Sequence, residues 1–312
     1  MATSLKLSLA IFAAVLLGGC DTIRVTGGSG SEIGLLTDGT AGGGIHNDDR
    51  ATGADGTSIT VGPFDAGSGD VIAYTVGHAP TLTTVTWTSS NDAITFAFEP
   101  KYRVKFKVWV INGPFTDGQT KAVNACIKTS QIWRDERQGT SFSVFDIVDA
   151  TGNANAGNYT AFDCSKVANM KTDIGFDNAA VNVYWVNTVD FGSGAATSNG
   201  VWCGGNVVAM GWNVLDHLFS HEIGHAFSLE HVNSLTTFFD TTNVMHNASN
   251  SRSFLTEGQT FRAVVNSGSV VNSLGGRTTT TRTCGNSTAT NDAPCPAVQK
   301  RIWADGAAWP PN

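Results

Sequence analysis

Three histidines and one acid crowd into the run HEIGHAFSLEH: His221, Glu222, His225 and His231. The first two histidines are four residues apart, so on a helix their imidazoles converge on one face. Neutral imidazoles at that spacing suit a tetrahedral zinc ion, which makes His221 and His225 candidate ligands. Glu222, beside the first ligand, is a candidate general base for water activated by such an ion. On an unbroken helix, His231 would lie roughly 9 Å beyond His225 along the axis, and off the shared face. To meet the same ion the chain must leave the helix near Ser228 and turn back. The pattern therefore predicts a helix, a sharp turn and a third ligand.

The elements that must position this run are legible as a βα pattern from about residue 101. Residues 102–112 (YRVKFKVWVIN) predict a strand. Residues 117–138 predict a helix with Val123, Cys126, Ile127, Ser130 and Trp133 on its buried face and Gly139 at its end. Strands are expected at 140–149, 180–189 and 206–212, with a Gly-rich loop over 192–205. Asn213 is the expected cap of the site helix, with Asp216 in its first turn. After His231 come the loop 232–243, the triplet Val244-Met245-His246, and a helix opened by a Thr256–Gln259 capping box, with Phe261, Val264 and Val265 buried. The order predicts an α+β fold with α/β character: a twisted sheet with helices packed on it.

Composition bounds the setting. The chain has 312 residues, of which 41% are hydrophobic and only 14% charged, with 35 Gly; this mix suits a loop-rich exported protein. A net charge of −7 offers no basic footprint, so nucleic acid is excluded as a partner. Residues 1–19 predict a targeting segment: Lys6, a short apolar run over 7–17, then Leu-Gly-Gly-Cys. Small residues before Cys20 resemble the bacterial lipoprotein signal. That resemblance implies lipidation at Cys20 and a membrane-anchored protein of the cell envelope, the alternative being an ordinary secreted one. Asp21 after the cysteine resembles the signal for retention in the inner membrane. Residues 20–57 are Gly- and Ser-rich and are expected as a flexible tether, 58–100 as a small β-rich segment, and 276–312 as a polar tail.

Export permits disulfides. With Cys20 lipidated, five cysteines remain. Cys284 and Cys295 close a short loop and are expected to pair; Cys126 is expected as a buried thiol, which leaves Cys164 with Cys203.

With these residues in view, the chain resembles the metzincin metallopeptidases over roughly residues 100–275. Their pattern is HExxHxxGxxH followed by a Met in a tight turn. The matrixin branch, with HExGHALGLxH, is the closest local match to HEIGHAFSLEH. The resemblance implies a zinc endopeptidase acting on a protein or peptide substrate, with a catalytic domain at 101–275. It assigns His221, His225 and His231 as zinc ligands, Glu222 as general base and Met245 as the floor of the site. It implies a small C-terminal subdomain after the third histidine and calcium as a second ion; a monomer is expected, with an edge strand at Val207, Val208, Ala209 and Met210 on which substrate docks. Phe238 and Phe239 are expected in the pocket wall.

The sequence departs from the family in three places. Ser228 replaces the usual Gly, Asn247 replaces the Tyr ligand of astacins and serralysins, and residues 21–100 hold no Cys for a latency switch. Lesser candidates are His217 one turn before His221, His246 beside the pocket, Glu230 or Asp240 as an alternative third ligand, and Cys203 near the metal. The competing class is a lipid-anchored binding or adhesion protein with a structural zinc. Such sites are closed by four protein ligands and would leave Glu222 without a role.

Overall fold

The computed structural model describes residues 78–83, 100–133, 140–190, 199–232, 241–247, 251–274 and 283–284 in full. For the strands before residue 96, for 196–197 and for 275 it describes the backbone. Seven strands come first: β1 (Asp21–Thr26), β2 (Glu32–Thr37), β3 (Ala51–Thr52), β4 (Ser58–Phe64), β5 (Gly67–Tyr74), β6 (Thr81–Trp87) and β7 (Asp92–Thr95). They form two sheets, ordered β4-β1-β7 and β3-β2-β5-β6. Within the stretch expected as a tether, β1 pairs with β4 and β7, and β2 pairs with β3 and β5. Short alternating runs such as Ile23/Val25 and Ile33/Leu35 supply the strand pattern there, which the surrounding Gly and Ser obscure.

The second part of the chain runs β8 (Tyr102–Val110), α1 (Phe115–Ile132), β9 (Thr140–Asp149), β10 (Ala161–Phe162), α2 (Val167–Asp173), β11 (Val181–Val186), β12 (Thr188–Asp190), β13 (Ala196–Thr197), β14 (Gly200–Trp202), β15 (Val207–Gly211), α3 (Asp216–Ala226), α4 (Glu257–Val265) and α5 (Val270–Gly275). Its main sheet has the order β14-β15-β11-β8-β9, with every neighbouring pair parallel except β14–β15. This is a mixed α/β architecture, as the βα pattern implies.

Both faces of this sheet are covered, so β11 is buried at every position. On one face Val104, Phe106, Val108 and Val110 join Val183, Val208 and Met210 against α1 and α3. On the other, Trp109, Ile111, Tyr184, Val186 and Ala209 pack with Tyr159, Phe162 and Met170. Trp133, just past α1, meets Phe142 of β9 and Phe227 of the site helix edge-on, at centroid distances of 5.6 and 5.1 Å. Ser220 donates to Thr129 across the α1–α3 contact at 2.9 Å. The site helix is thus keyed to the sheet through α1.

Helix α1 corrects the sequence expectation in two ways. It ends at Ile132 with Trp133 as its cap, and it buries Gly118, Ala122, Ala125, Cys126, Thr129 and Ile132. Val123 and Ile127, expected inside, are 41% and 51% exposed. Small residues win the buried face because the helix lies close on β8: a Cβ on Gly118 would meet Val110 Cγ1 at 2.6 Å. Helix α3 starts at Asp216 with Leu215 as its cap, two residues later than an Asn213 cap requires.

The expected substrate strand is also corrected. Val207, Val208, Ala209 and Met210 lie in β15, which is paired on both sides and fully buried, so it presents no open edge. The edge is β14, three residues cut out of the stretch expected as Gly-rich loop. So short a segment carries too little alternation to register as a strand.

Candidate metal centre

His221 and His225 project from α3 as their spacing requires. The helix then ends in a left-handed turn. Ser228 has φ 61°, its N–H donates to His225 O at 2.9 Å, and Leu229 N–H donates to Gly224 O at 2.9 Å. These are the two bonds of a Schellman cap, with Ser where Gly is commonest. The turn redirects the chain so that His231 comes back over the helix.

The result is a triangle of ring nitrogens. Nε2 of His231 lies 3.1 Å from Nε2 of both His221 and His225, and those two are 3.2 Å apart. His221 Nδ1 lies 2.6 Å from Val244 O and His225 Nδ1 lies 2.8 Å from Leu229 O. A carbonyl only accepts, so each of these Nδ1 atoms carries its ring hydrogen and each partnered Nε2 presents a bare lone pair. Burial holds both rings neutral: it drives His221 down to about 2, helped by His225, and His225 down to about 4. His231 is lowered as well, by burial and then by Arg252 and His246.

Lone pairs converging at this range repel unless a cation sits among them. Tetrahedral zinc with Zn–N near 2.0–2.1 Å separates its nitrogen ligands by about 3.3 Å, which the triangle matches. Among the described residues His221, His225 and His231 are the group that could hold a metal ion.

Glu222 is 6% exposed beside this triangle. Burial pushes its carboxyl up to about 7, opposed by the backbone N–H of Trp202 and the charge of Arg252. Strand β14 therefore touches the site directly. Trp202 donates its N–H to Glu222, and its ring stacks over His225 at 6.3 Å. Gly200 leaves room for the acid: a Cβ there would meet Glu222 Cγ at 2.9 Å and Met210 Sδ at 2.8 Å.

Met245 is fully buried against the site helix. Its sulfur presses on the helix where Gly224 has no Cβ, so Gly is required at that position. Asn243 Oδ1 accepts from Met245 N–H at 2.9 Å, closing the turn. Arg252, 5% exposed, donates to His246 O at 2.8 Å and to Asn247 O at 3.2 Å, bracing the residues after Met245. Neither Gly200, Trp202 nor Arg252 carries a motif signal in the sequence; only the fold brings them to the site.

His217, His246 and Glu230 are not in the converging group, although His246 lies near enough to His231 to lower it. Cys203 is bonded to Cys164, with an S–S distance of 1.98 Å, so its sulfur is not offered to a metal. Cys126 is a free, buried thiol, which burial raises. Cys284 is disulfide-bonded, while Cys295 lies outside the described residues, as do Cys20, Phe238, Phe239 and Asp240. Among the described residues no helix is long and apolar enough to cross a membrane.

Fold and site together define a mixed α/β chain with a three-histidine site that could hold a metal. No protein-family model and no curated protein matches it. Among solved structures it is similar to metalloproteinase-II from Bacteroides fragilis, at 13% identity and TM-score 0.37, over 53% of this chain and 52% of that one. The match thus spans about half the length of that protein. Archaemetzincin from Methanopyrus kandleri is similar at 13% identity and TM-score 0.33, over 51% of this chain and 86% of that one. A chain from a chaperone–substrate complex is similar at 12% identity and TM-score 0.34, over 70% of this chain and 37% of that one. At these values the geometry of the histidines and Glu222 carries the functional reasoning.

Proposed function

We propose that the chain is a zinc-dependent endopeptidase of metzincin type, closest in its motif to the matrixins, anchored to a bacterial cell envelope through lipid on Cys20. The observation that carries the proposal is the set of three converging Nε2 atoms with a buried carboxyl beside it. Three histidines leave a coordination position open, which favours a catalytic over a structural ion. Zinc held there would supply a Lewis acid that acidifies water and polarises the scissile carbonyl.

The chain's own residues do the rest. Glu222, raised to about 7, takes the proton from the attacking water and returns it to the leaving amine. Trp202 N–H holds the carboxylate in place between these transfers. No residue acts as nucleophile, so no acyl-enzyme forms. An extended peptide pairs with the outer edge of β14, the strand whose other edge is taken by β15. That edge runs past both Glu222 and His225, so main-chain pairing delivers the scissile bond to the acid.

Chelation of the metal should abolish cleavage of a peptide library, and added zinc should restore it. Glu222→Gln should keep the zinc while activity falls by a factor on the order of 10³ or more. A fully active Glu222→Gln protein would sink the mechanism.

A further inference from the structure

Helix α4 lies outside the histidine site, yet its first turn is wired to it. Gln259 and Asn243 form a closed amide pair, both fully buried. Asn243 Nδ2 donates to Gln259 Oε1 at 2.8 Å, and Gln259 Nε2 donates to Asn243 Oδ1 at 3.0 Å. The orientation of each amide is fixed from outside the pair. Gln259 Oε1 also accepts from Thr256 N–H at 2.8 Å, and Asn243 Oδ1 from Met245 N–H at 2.9 Å. Backbone N–H groups only donate, so neither amide can turn over without setting like groups against each other.

The strip that Asn243 anchors serves two of the three histidines. Val244 O accepts from His221 Nδ1–H at 2.6 Å. Met245 O accepts from the N–H of Val232, the residue after His231, at 3.1 Å. The other side of the strip is held by Val244 N–H on Phe254 O at 2.9 Å. His225 takes its carbonyl from the helix end and does not use the strip.

We propose that Gln259 is a positioning residue for the metal site, acting through Asn243 to hold the Val244 carbonyl on His221 and the Met245 carbonyl on the N–H of Val232, the residue after His231. The inference rests on the zinc-site reading. An apolar pair would fill the same space, but it would leave the Thr256 and Met245 N–H groups without acceptors and would not specify where the strip sits; a satisfied amide pair allows one register. Partners behind a histidine ligand typically account for 10- to 100-fold in metal affinity.

Gln259 also caps α4, so the test must separate the two roles. Thr256 Oγ1 accepts from Gln259 N–H at 3.0 Å, and Thr256→Ala removes that cap bond without touching the amide pair. Zinc affinity of the full chain is measured by chelator competition, alongside the thermal midpoint of the metal-free protein and the cobalt-substituted absorption spectrum. Gln259→Met should weaken zinc about 10- to 100-fold and alter the cobalt spectrum, while Thr256→Ala lowers the thermal midpoint and leaves affinity unchanged. Gln259→Asn, which keeps an amide but falls one methylene short, should show the same loss if the methionine variant does not fold. Wild-type affinity in a folded Gln259 variant overturns the inference, as does equal weakening in Thr256→Ala. A wild-type chain that binds no zinc overturns the site reading itself.

Discussion

Ser228 does at one position what the whole metal site depends on. Its left-handed backbone turns the chain out of α3, fixes the Leu229 carbonyl on His225 and brings His231 round. A non-glycine residue in this region costs on the order of 1 kcal/mol. Ser228→Gly should therefore raise stability by roughly that amount in denaturant unfolding while the zinc affinity holds. A destabilised glycine variant would mean that the serine side chain contributes more than its backbone costs.

The histidines make a second prediction at this scale. His221 and His225 are depressed from 6.5, to about 2 and about 4, chiefly by burial. A depressed group adds stability that is present above its unfolded value and is lost as pH falls toward the folded one. The metal-free protein should therefore lose thermal stability as pH drops below about 6.5, and His221→Asn should flatten that slope. A slope identical in the variant would show that other groups set the acid limit.

Among the elements, β14 matters most for its size. Three residues provide the edge of the sheet, the N–H on Glu222 and the ring over His225. Gly200→Ala forces a Cβ against Glu222 Cγ and Met210. Met210 and Glu222 are both buried, so the added methyl displaces the acid together with its neighbour. Turnover should fall about 10- to 100-fold with zinc content unchanged, as expected for a catalytic group displaced by about an ångström. Loss of zinc in that variant would instead place the damage at the histidines.

At the scale of the molecule, the Cys164–Cys203 bond closes a loop of 39 residues and ties the β14–β15 hairpin to the segment before α2. Cross-linking a loop of that length stabilises by about 4 kcal/mol through the entropy of the unfolded chain. Cys164→Ser with Cys203→Ser should lower unfolding free energy by about 2–4 kcal/mol. Because Cys203 follows Trp202 directly, the same variant should lose turnover beyond what its folded fraction explains. Unchanged activity per folded molecule would confine the disulfide to stability.

What the sequence determined by itself lies along short stretches of chain. The spacing of His221 and His225 is converted into a shared face by helix geometry alone, and the Thr256–Gln259 capping box needs only its own four residues. The need for a reversal near Ser228 followed from the axial rise of a helix, and the positive φ is found there. What only the tertiary structure decided depends on partners distant in sequence. The buried face of α1 went to Ala and Gly because β8 comes too close for Val123 and Ile127, and periodicity cannot report the distance to a neighbour. The edge passed from β15 to β14 because pairing belongs to the sheet and is not encoded in either strand. Gly200, Trp202, Arg252 and the Asn243–Gln259 pair serve the site through contacts between separate segments, so no local pattern marks them.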